Sequence, residues 1–426
     1  MHKIFTMRVL LINTSERTGG AAIACNRLME ALKKNGVRAK MLVRDKQTDK
    51  LTVLAIPSSW ILPVKFVWER FVIFLANRFS RKNLFQTDIA NVGTDVTKMR
   101  EFQRADIIHL HWVNQGFLSM NDLEKILCSG KRIVVTMHDM WYFTGICHYS
   151  GSCDKYRKQC ETCPLLGGGK AFYDLSKKVF NRKRRLYAKS QITFVGCSQW
   201  IASLAKKSAL TVGQQVVNIP NAIDMSLFHP MEKAELRKKH GIDSDKKLIL
   251  FGAQRITDER KGFSYLSEAC KLIAQQHPLL ARQIEILVVG GDSAAVQGLL
   301  PFKVRSVNYV NEPQQMVELY NLVDAYVTPS LQDNLPNTIV EAMACGIPCV
   351  GFNVGGIPEM IDHQQNGYVA TYKDAADFAQ GIVWTLTSDP QQLSSAARQK
   401  AVATYSEDVV ARKYIEIYDY TDNSHL

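Results

Sequence analysis

Two acidic residues, Asp333 and Glu341, stand eight positions apart in the segment TPSLQDNLPNTIVEAMACG, residues 328–346. The apolar run before this segment is typical of a strand, and the small residues after Pro336 favour a helix. Asp333 would then lie in the connecting loop and Glu341 in the helix, so that both face the crevice at the carboxyl end of a strand. Such a pair suits a polyhydroxylated ligand. Taken singly, either acid could instead be an ordinary solvated side chain.

Two cations, Arg255 and Lys261, could supply fixed positive charge in the segment FGAQRITDERKGFSYL, residues 251–266. Arg255 follows a strand-type run, and Lys261 stands just before a glycine that opens a helix. Arg can grip two phosphate oxygens at once, whereas Lys acts as a mobile point charge. A departing diphosphate gathers negative charge, which fixed cations can stabilise in place of a bound metal. The charged residues between them leave open the alternative of an ordinary surface loop.

A double glycine, Gly19–Gly20, separates a strand-type run over residues 7–13 from a predicted helix over residues 21–35. Without side chains at this place, backbone N–H groups can approach phosphate or sugar oxygens. A turn that needs positive φ would use the same residues, and the two interpretations are compatible.

His138 ends another strand-type run, residues 132–137, at the carboxyl edge of the expected sheet, with Asp139 beside it. A lone histidine is more often structural. At this position, however, the ring would point toward a ligand. Asp139 could orient the ring of His138 or contact an acceptor. His109 and His111 alternate with apolar residues, so we expect them to be half-buried in a strand.

Together these segments resemble the family-4 (group 1) glycosyltransferases of the colanic-acid and exopolysaccharide type, which are retaining enzymes of the GT-B fold. The family's acidic pair has this spacing and usually opens with Glu, whereas the first acid here is Asp333. The resemblance implies that Asp333 lies beside the donor sugar and that Glu341 binds the ribose of the nucleotide. The likeness is strongest over residues 218–367.

The same resemblance assigns roles to other residues. Arg255 and Lys261 would hold the donor phosphates and stabilise the leaving group. His138 would contact the donor sugar, and the Gly19–Gly20 loop would lie near the donor phosphates and the acceptor. Four further residues would line the phosphate and the sugar, namely Ser330, Asn334, Leu335 and Pro336.

The 426 residues exceed the usual size of one hydrophobic core, and strand-type runs alternate with helical ones. We therefore expect an α/β protein with two Rossmann-like doubly wound domains, which in the GT-B fold face each other across a cleft. The join should fall in the loop-like segment 219–230. The expected domains are residues 1–222 for the acceptor, residues 223–405 for the nucleotide sugar, and a helix over residues 406–426 that by resemblance returns to the first domain.

The net charge of +13 and pI of about 9.2 favour anionic partners. The segment Lys170 to Lys189 reads as a basic amphipathic helix, suited either to an anionic bilayer surface or to packing on a core. Trp60 to Phe79 is rich in aromatic and aliphatic residues but is too interrupted by charges to span a membrane. It could lie on a bilayer or be buried. No signal-peptide pattern opens the sequence, so we expect a cytoplasmic protein, located at the inner face of the plasma membrane if it binds lipid.

Four of the ten cysteines are clustered. They could close around a structural zinc ion, with His148 as a substitute ligand, or remain free thiols or a redox-labile pair. The clustered residues are Cys147, Cys153, Cys160 and Cys163. The Asp-x-Asp motif at Asp243 to Asp245 precedes a strand and is interpreted as a turn, so we expect no metal or other cofactor in catalysis.

These observations predict a retaining glycosyltransferase of hexosyltransferase type that moves a sugar from a nucleotide-sugar donor to a glycan or lipid-linked oligosaccharide. The expected setting is the synthesis of lipopolysaccharide or exopolysaccharide at the inner membrane surface. A nucleotide-sugar epimerase of the same fold is the enzymatic alternative. A basic nucleic-acid-binding protein and an inactive sugar-nucleotide-binding scaffold are the others. No nucleic-acid-binding module is recognisable in the sequence, so nucleic acid is not an expected partner.

Overall fold

A computed structural model describes residues 7–57, 61–167, 173–310 and 312–419. The chain forms two compact units, one of Met1–Pro220 with Val410–Leu426 and the other of Asn221–Val409. The boundary between the two units, at Pro220 and Asn221, lies inside the segment 219–230, where the sequence analysis expected the domains to join. Each unit contains its own parallel sheet with helices between the strands, which confirms the predicted α/β class.

The first unit has a seven-stranded sheet in the order β3-β2-β1-β4-β5-β6-β7. Its strands are β1 (Arg8–Ser15), β2 (Arg38–Asp45), β3 (Val53–Ala55), β4 (Ile107–Leu110), β5 (Arg132–Met137), β6 (Ile192–Gly196) and β7 (Gln215–Asn218). Its helices include α1 (Gly20–Lys34), α2 (Ile61–Ala76), α3 (Arg100–Arg104), α4 (Met120–Leu127), α5 (Leu175–Tyr187) and α6 (Gln199–Lys206). The strand order reverses between β1 and β4, and ligands of such sheets bind beyond the carboxyl ends at that point.

The second unit has a six-stranded sheet in the order β10-β9-β8-β11-β12-β13. Its strands are β8 (Lys247–Arg255), β9 (Ile284–Gly291), β10 (Lys303–Val307), β11 (Ala325–Thr328), β12 (Cys349–Phe352) and β13 (Gly367–Ala370). Its helices are α7 (Lys233–Lys239), α8 (Phe263–Gln276), α9 (Pro278–Ala281), α10 (Pro313–Leu322), α11 (Asn337–Ala344), α12 (Ile357–Met360), α13 (Ala375–Thr387) and α14 (Pro390–Tyr405). Here the order reverses between β8 and β11.

Both sheets are built from short apolar runs because parallel strands are covered by helices on both faces. In β5, for example, Ile133 to Met137 are all buried, and in β11 all four residues are buried. In each unit, buried apolar side chains therefore pack against the sheet as a hydrophobic core.

The last helix, α15 (Glu407–Asp419), completes the first unit, to which its residues belong from Val410 onward. Tyr414 and Tyr418 on this helix are buried. The hydroxyl of Tyr418 lies 2.7 Å from Nδ1 of His109, and the hydroxyl of Tyr414 lies 2.9 Å from Oγ1 of Thr136. These contacts attach α15 to β4 and β5.

The basic segment predicted at residues 170–189 corresponds to α5, and its first three residues lie outside the described part of the chain. The apolar side chains of α5, including Val179 and Phe180, are buried, whereas Lys177, Lys178 and Arg185 are exposed. This helix therefore packs on the core with a solvated basic face, which was one of the two alternatives.

Candidate functional site

The carboxyl ends of β8 and β11 are neighbours, because the two strands pair in parallel with Phe251 opposite Val327. Arg255 is the last residue of β8, and the loop that carries Asp333 follows β11. Arg255 and the loop that carries Asp333 therefore reach the same edge of the sheet, at the place where the strand order reverses.

Gly262 brings the segment with Lys261 against the loop after β11. Its φ is +70°, and a Cβ added there would lie only 1.9 Å from the carbonyl oxygen of Pro329. The backbone N–H of Leu331 also donates to the carbonyl of Arg260 at 2.8 Å. A side chain at position 262 would separate the two segments, so this glycine allows their close approach.

Lys261 and Asp333 form a direct ion pair, with Nζ 2.7 Å from Oδ2. Their side chains are 21% and 13% exposed, so the pair is accessible to a ligand without being fully solvated. The family resemblance assigns both Asp333 and Glu341 to the donor. The structure brings Asp333 into contact with Lys261, one of the two cations assigned to the donor phosphates.

Arg255 is exposed at the end of β8. In the part of the chain that the structure describes, its guanidinium has no hydrogen bond or ion pair. Its backbone is opposite Gly291 in the register of β8 and β9. An exposed cation with no internal partner is available to bind an anion at this edge.

Glu341 lies inside α11 and is buried, with 7% of its surface exposed. Its Oε2 accepts a hydrogen bond from the hydroxyl of Tyr320 on α10 at 2.9 Å. Burial, together with the nearby Glu341 carboxylate, raises the pKa of Tyr320 well above its ordinary value, so the phenol stays protonated and remains a donor. The contact fixes the position of the carboxylate.

The remaining predicted residues of the second unit lie on the same loop. Ser330 is fully buried, and its hydroxyl is 3.1 Å from that of Thr328. Asn334 and Leu335 are buried as well, and Pro336 directly precedes the first residue of α11. The loop is therefore a packed part of the fold that can hold its backbone in one conformation.

Two features of this edge were missed by sequence reasoning. Tyr320 gives no local signal, because its role appears only when α10 packs beside α11. Gly290 and Gly291 end β9 next to Arg255, and this second double glycine at a strand end was a signal that could have been used.

In the first unit, Gly19 precedes α1 with φ of +90°, and a Cβ there would meet no atom within 4 Å. The glycine is required by the backbone conformation and not by crowding, and the space beside it is open. Gly20 is the first residue of α1. The role of this loop near phosphate or acceptor stays a prediction.

His138 belongs to a row of packed imidazoles. Its Nε2 lies 2.9 Å from Nδ1 of His111, and its Nδ1 lies 3.4 Å from Sγ of Cys197. Burial lowers the pKa of His138 to about 4, and it lowers the pKa of His109 to about 3. These rings are neutral near neutral pH. Since both ring nitrogens of His138 have neighbours inside the fold, its contact with a donor sugar stays a prediction.

The expectation for Asp139 needs a correction. Its carboxylate accepts hydrogen bonds from Nε1 of Trp112 at 2.9 Å and from the backbone of Trp141 at 2.8 Å, and it pairs with Nδ1 of His148 at 2.7 Å. It therefore orients His148 and not His138. Burial alone would lower the pKa of His148, but the Asp139 charge outweighs it and raises that pKa.

His109 and His111 are completely buried, so the expectation that they would be half-buried was wrong. The reason is long-range packing, since His109 is covered by α15 and bonded to Tyr418. His111 packs between His109 and His138.

The four clustered cysteines, Cys147, Cys153, Cys160 and Cys163, all carry free thiols. The backbone N–H of Gly145 donates to Sγ of Cys160 at 3.2 Å, and burial raises the pKa of Cys160 to about 11. Within the described ranges, no group of three or more His, Cys, Asp or Glu side chains is arranged to hold a metal ion. Structural zinc stays a prediction.

Among the helices that the structure describes, none combines the length and apolar character that crossing a bilayer requires.

Comparison with known proteins finds a family match in the second unit. Residues 245–388 match the family described as glycosyl transferases group 1, and this stretch contains Arg255, Lys261, Asp333 and Glu341. The chain carries a group 1 glycosyltransferase domain. An uncharacterized glycosyltransferase of Methanocaldococcus jannaschii is 24% identical over 361 residues, which cover 79% of this chain and 90% of that protein.

A second relative of this glycosyltransferase is the N,N'-diacetylbacillosaminyl-diphospho-undecaprenol alpha-1,3-N-acetylgalactosaminyltransferase of Campylobacter jejuni. It is 26% identical over 254 residues, which cover 58% of this chain and 65% of the relative. Among solved structures, Anabaena HepE in complex with UDP-glucose superposes with a TM-score of 0.61 at 17% identity, covering 97% of this chain and 99% of HepE. The fold of the glycosyltransferase is GT-B, as its sequence predicted.

Proposed function

We propose that this glycosyltransferase moves a sugar from a nucleotide-sugar donor to a glycan or lipid-linked acceptor, with retention of anomeric configuration. The observation that supports this proposal most is the Lys261–Asp333 ion pair at the carboxyl edge of the second sheet, where β8 ends with the exposed cation Arg255. A sugar diphosphate has both kinds of group that these side chains bind, namely phosphate oxygens and hydroxyls.

In this proposal, Arg255 and Lys261 bind the two phosphates, Asp333 accepts hydrogen bonds from the donor sugar, and Glu341 accepts them from the ribose. Transfer breaks the bond between the anomeric carbon and the diphosphate, so negative charge grows on the oxygen next to the cations. Removing one such charge-stabilising contact costs on the order of 3 kcal/mol in the transition state. The two cations supply this stabilisation, and the proposed transfer needs no metal.

The relatives support the substrate classes. HepE is described with bound UDP-glucose, which favours a nucleotide hexose as donor. The name of the Campylobacter relative specifies a sugar on diphospho-undecaprenol, which favours an acceptor carried on a polyprenyl diphosphate. We therefore place the protein in the synthesis of a cell-surface polysaccharide, with the first unit binding the acceptor.

The test begins with a panel of nucleotide sugars added to the purified protein. A ligand that binds only the folded state raises the melting temperature, so the donor should stand out from nucleotides with other bases or sugars. The stabilising donor is then incubated with polyprenyl-diphosphate acceptors, with and without EDTA. We expect release of nucleoside diphosphate and a glycosylated product, unchanged by EDTA.

Two results would contradict the proposal. Conversion of the nucleotide sugar into an isomer without release of nucleoside diphosphate would indicate the epimerase. No stabilisation by any nucleotide sugar, combined with salt-sensitive binding to nucleic acid, would indicate the basic nucleic-acid-binding protein.

A further inference from the structure

Helix α2 buries an acidic and a basic residue and exposes an apolar face. The residues that it buries are Glu69, Arg70, Ile73 and Ala76. The apolar side chains that it exposes are Ile61, Val64, Val67, Trp68 and Phe71, each more than 40% exposed. A surface helix of a soluble domain normally shows the reverse arrangement. Contiguous exposed apolar surface of this kind marks an interaction site.

The orientation of α2 is fixed by the hydrogen bonds and the ion pair of its buried Glu69 and Arg70 side chains. Arg70 Nη2 lies 3.1 Å from Oδ2 of Asp88, and the Glu69 carboxylate accepts hydrogen bonds from the backbone N–H groups of Ile89 and Ala90 at 3.1 and 2.7 Å. Rotating the helix to bury its apolar face would pull the Glu69 and Arg70 side chains away from these partners. The apolar face therefore stays exposed.

The segment after α2 extends the same surface. Phe79 and Phe85 are 63% and 65% exposed. The ring of Phe79 packs edge-on against Phe74 of α2 at 5.7 Å between centroids, and Phe85 stacks on Phe66 of α2 at 6.4 Å. Two more aromatic side chains are thus attached to the helix.

The loop that follows α2 is held in place by Asn77. Its side-chain amide donates to the carbonyls of Ser80 and Lys82 at 3.0 and 2.7 Å. This anchoring presents a surface that is already formed, which lowers the ordering cost of binding.

The exposed charged residues of the segment 61–86 are all positive. Arg78, Arg81 and Lys82 are exposed, while Glu69, the acidic residue of the segment 61–86, is buried. Apolar and aromatic side chains flanked by cations match the boundary between acyl chains and anionic head groups. A helix of 16 residues is about 24 Å long, enough for several such side chains to lie in one plane.

We propose that the exposed apolar face of α2, with Phe79, Phe85 and the adjacent cations, docks the protein on an anionic bilayer surface. The apolar side chains enter the head-group region, and Arg78, Arg81 and Lys82 pair with lipid phosphates. The protein lies on the bilayer and does not cross it. This docking does not depend on the proposed sugar transfer, because it requires neither donor nor acceptor.

Flotation with vesicles tests the proposal on the full chain. Vesicles of phosphatidylcholine with phosphatidylglycerol are compared with vesicles of phosphatidylcholine alone. The variant Trp68→Gln/Phe71→Gln removes apolar surface, and Leu279→Gln/Val212→Gln is the control, since both of its residues are apolar and highly exposed elsewhere. A third variant, Arg81→Glu/Lys82→Glu, reverses charge in the loop.

We expect the unmodified protein to float with the anionic vesicles and the α2 variant to lose roughly tenfold in partitioning, at an unchanged melting temperature. The control should behave like the unmodified protein. The charge-reversed variant should lose binding to anionic vesicles. Brominated acyl chains should quench tryptophan fluorescence more strongly in the unmodified protein than in Trp68→Gln/Phe71→Gln, because the variant lacks the tryptophan proposed to enter the bilayer.

The proposal is overturned if the α2 variant floats as well as the unmodified protein. It is also overturned if no vesicle binds and the α2 variant converts a dimer into a monomer, because the face would then join two copies of the chain. Failure of the sugar-transfer assay would leave the flotation result unaffected, so the two proposals can fail separately.

Discussion

Lys261 Nζ and Asp333 Oδ2 are 2.7 Å apart, so the cation assigned to the donor phosphates is paired with the acid assigned to the donor sugar. An ion pair with solvent access contributes on the order of 1 kcal/mol or less to stability. A diphosphate can therefore take Lys261 from Asp333 at small cost, and the released carboxylate is then free to accept hydrogen bonds from the sugar. Donor binding and exposure of Asp333 would be one event.

Lys261→Ala should reduce the transfer rate about a hundredfold or more, because one charge that stabilises the departing diphosphate is lost. The measurement is kcat/KM for the donor identified by the thermal screen. Lys271→Ala on the exposed side of α8 is the matched control and should leave the rate unchanged. Full activity of the Lys261 variant would remove this residue from the proposed mechanism.

Tyr320→Phe should weaken nucleotide binding severalfold, since Glu341 loses the hydrogen bond that positions it, worth about 1 kcal/mol. Titration with the nucleoside diphosphate by calorimetry gives the change in Kd. Tyr368→Phe removes a similar bond, from its hydroxyl to Asp377, elsewhere in the second unit. Equal weakening in both variants would show a general loss of stability and no specific role for Tyr320.

Gly262→Ala should lower both the melting temperature and the transfer rate, because the added Cβ collides with the carbonyl of Pro329. Gly241 also has a positive φ, but a Cβ there meets open space. Gly241→Ala should therefore show only the backbone cost of the left-handed conformation, about 1–2 kcal/mol. Differential scanning fluorimetry and the transfer assay separate the two effects. Similar losses in the two variants would contradict a close approach at Gly262.

Glu69→Gln should flatten the pH dependence of stability. Burial raises the pKa of Glu69 from 4.5 to about 8, so between these values the folded protein keeps a proton that the unfolded chain releases. The free energy of unfolding then falls as pH rises through this window. Urea unfolding followed from about pH 5 to about pH 8 should show a shallower fall in the variant than in the unmodified protein. Glu416→Gln changes an exposed carboxyl and is the control. If the free energy of unfolding falls with pH as steeply in Glu69→Gln as in the unmodified protein, the Glu69 carboxyl is already ionised in the folded state.

The two sheets, and the residues at the carboxyl edge of the second sheet, could be predicted because their sequence patterns are local. β5 was expected at residues 132–137 and has these bounds. Arg255 ends β8, and Lys261 and Asp333 lie in the connections that follow β8 and β11, strands that apolar runs define. Strands β3, β6 and β7 were missed. β3 and β7 are short edge strands, and β7 has no fully buried residue.

What could not be predicted depends on contacts between distant parts of the chain. Burial of His109 requires Tyr418, which is 309 positions away. The inverted orientation of α2 depends on Asp88, which lies in a loop without periodicity. In both cases the local pattern of apolar residues indicates an element but not which of its faces is covered.

The attachment of α15 to β4 and β5 has a consequence during synthesis on the ribosome. Tyr414 and Tyr418 emerge only after the strands of both sheets, so the hydroxyl of Thr136 and the ring of His109 lack these partners until α15 has been made. The amino-terminal unit, although made first, reaches its final packing last, and nascent chains stalled before Val410 should be the species that chaperones retain.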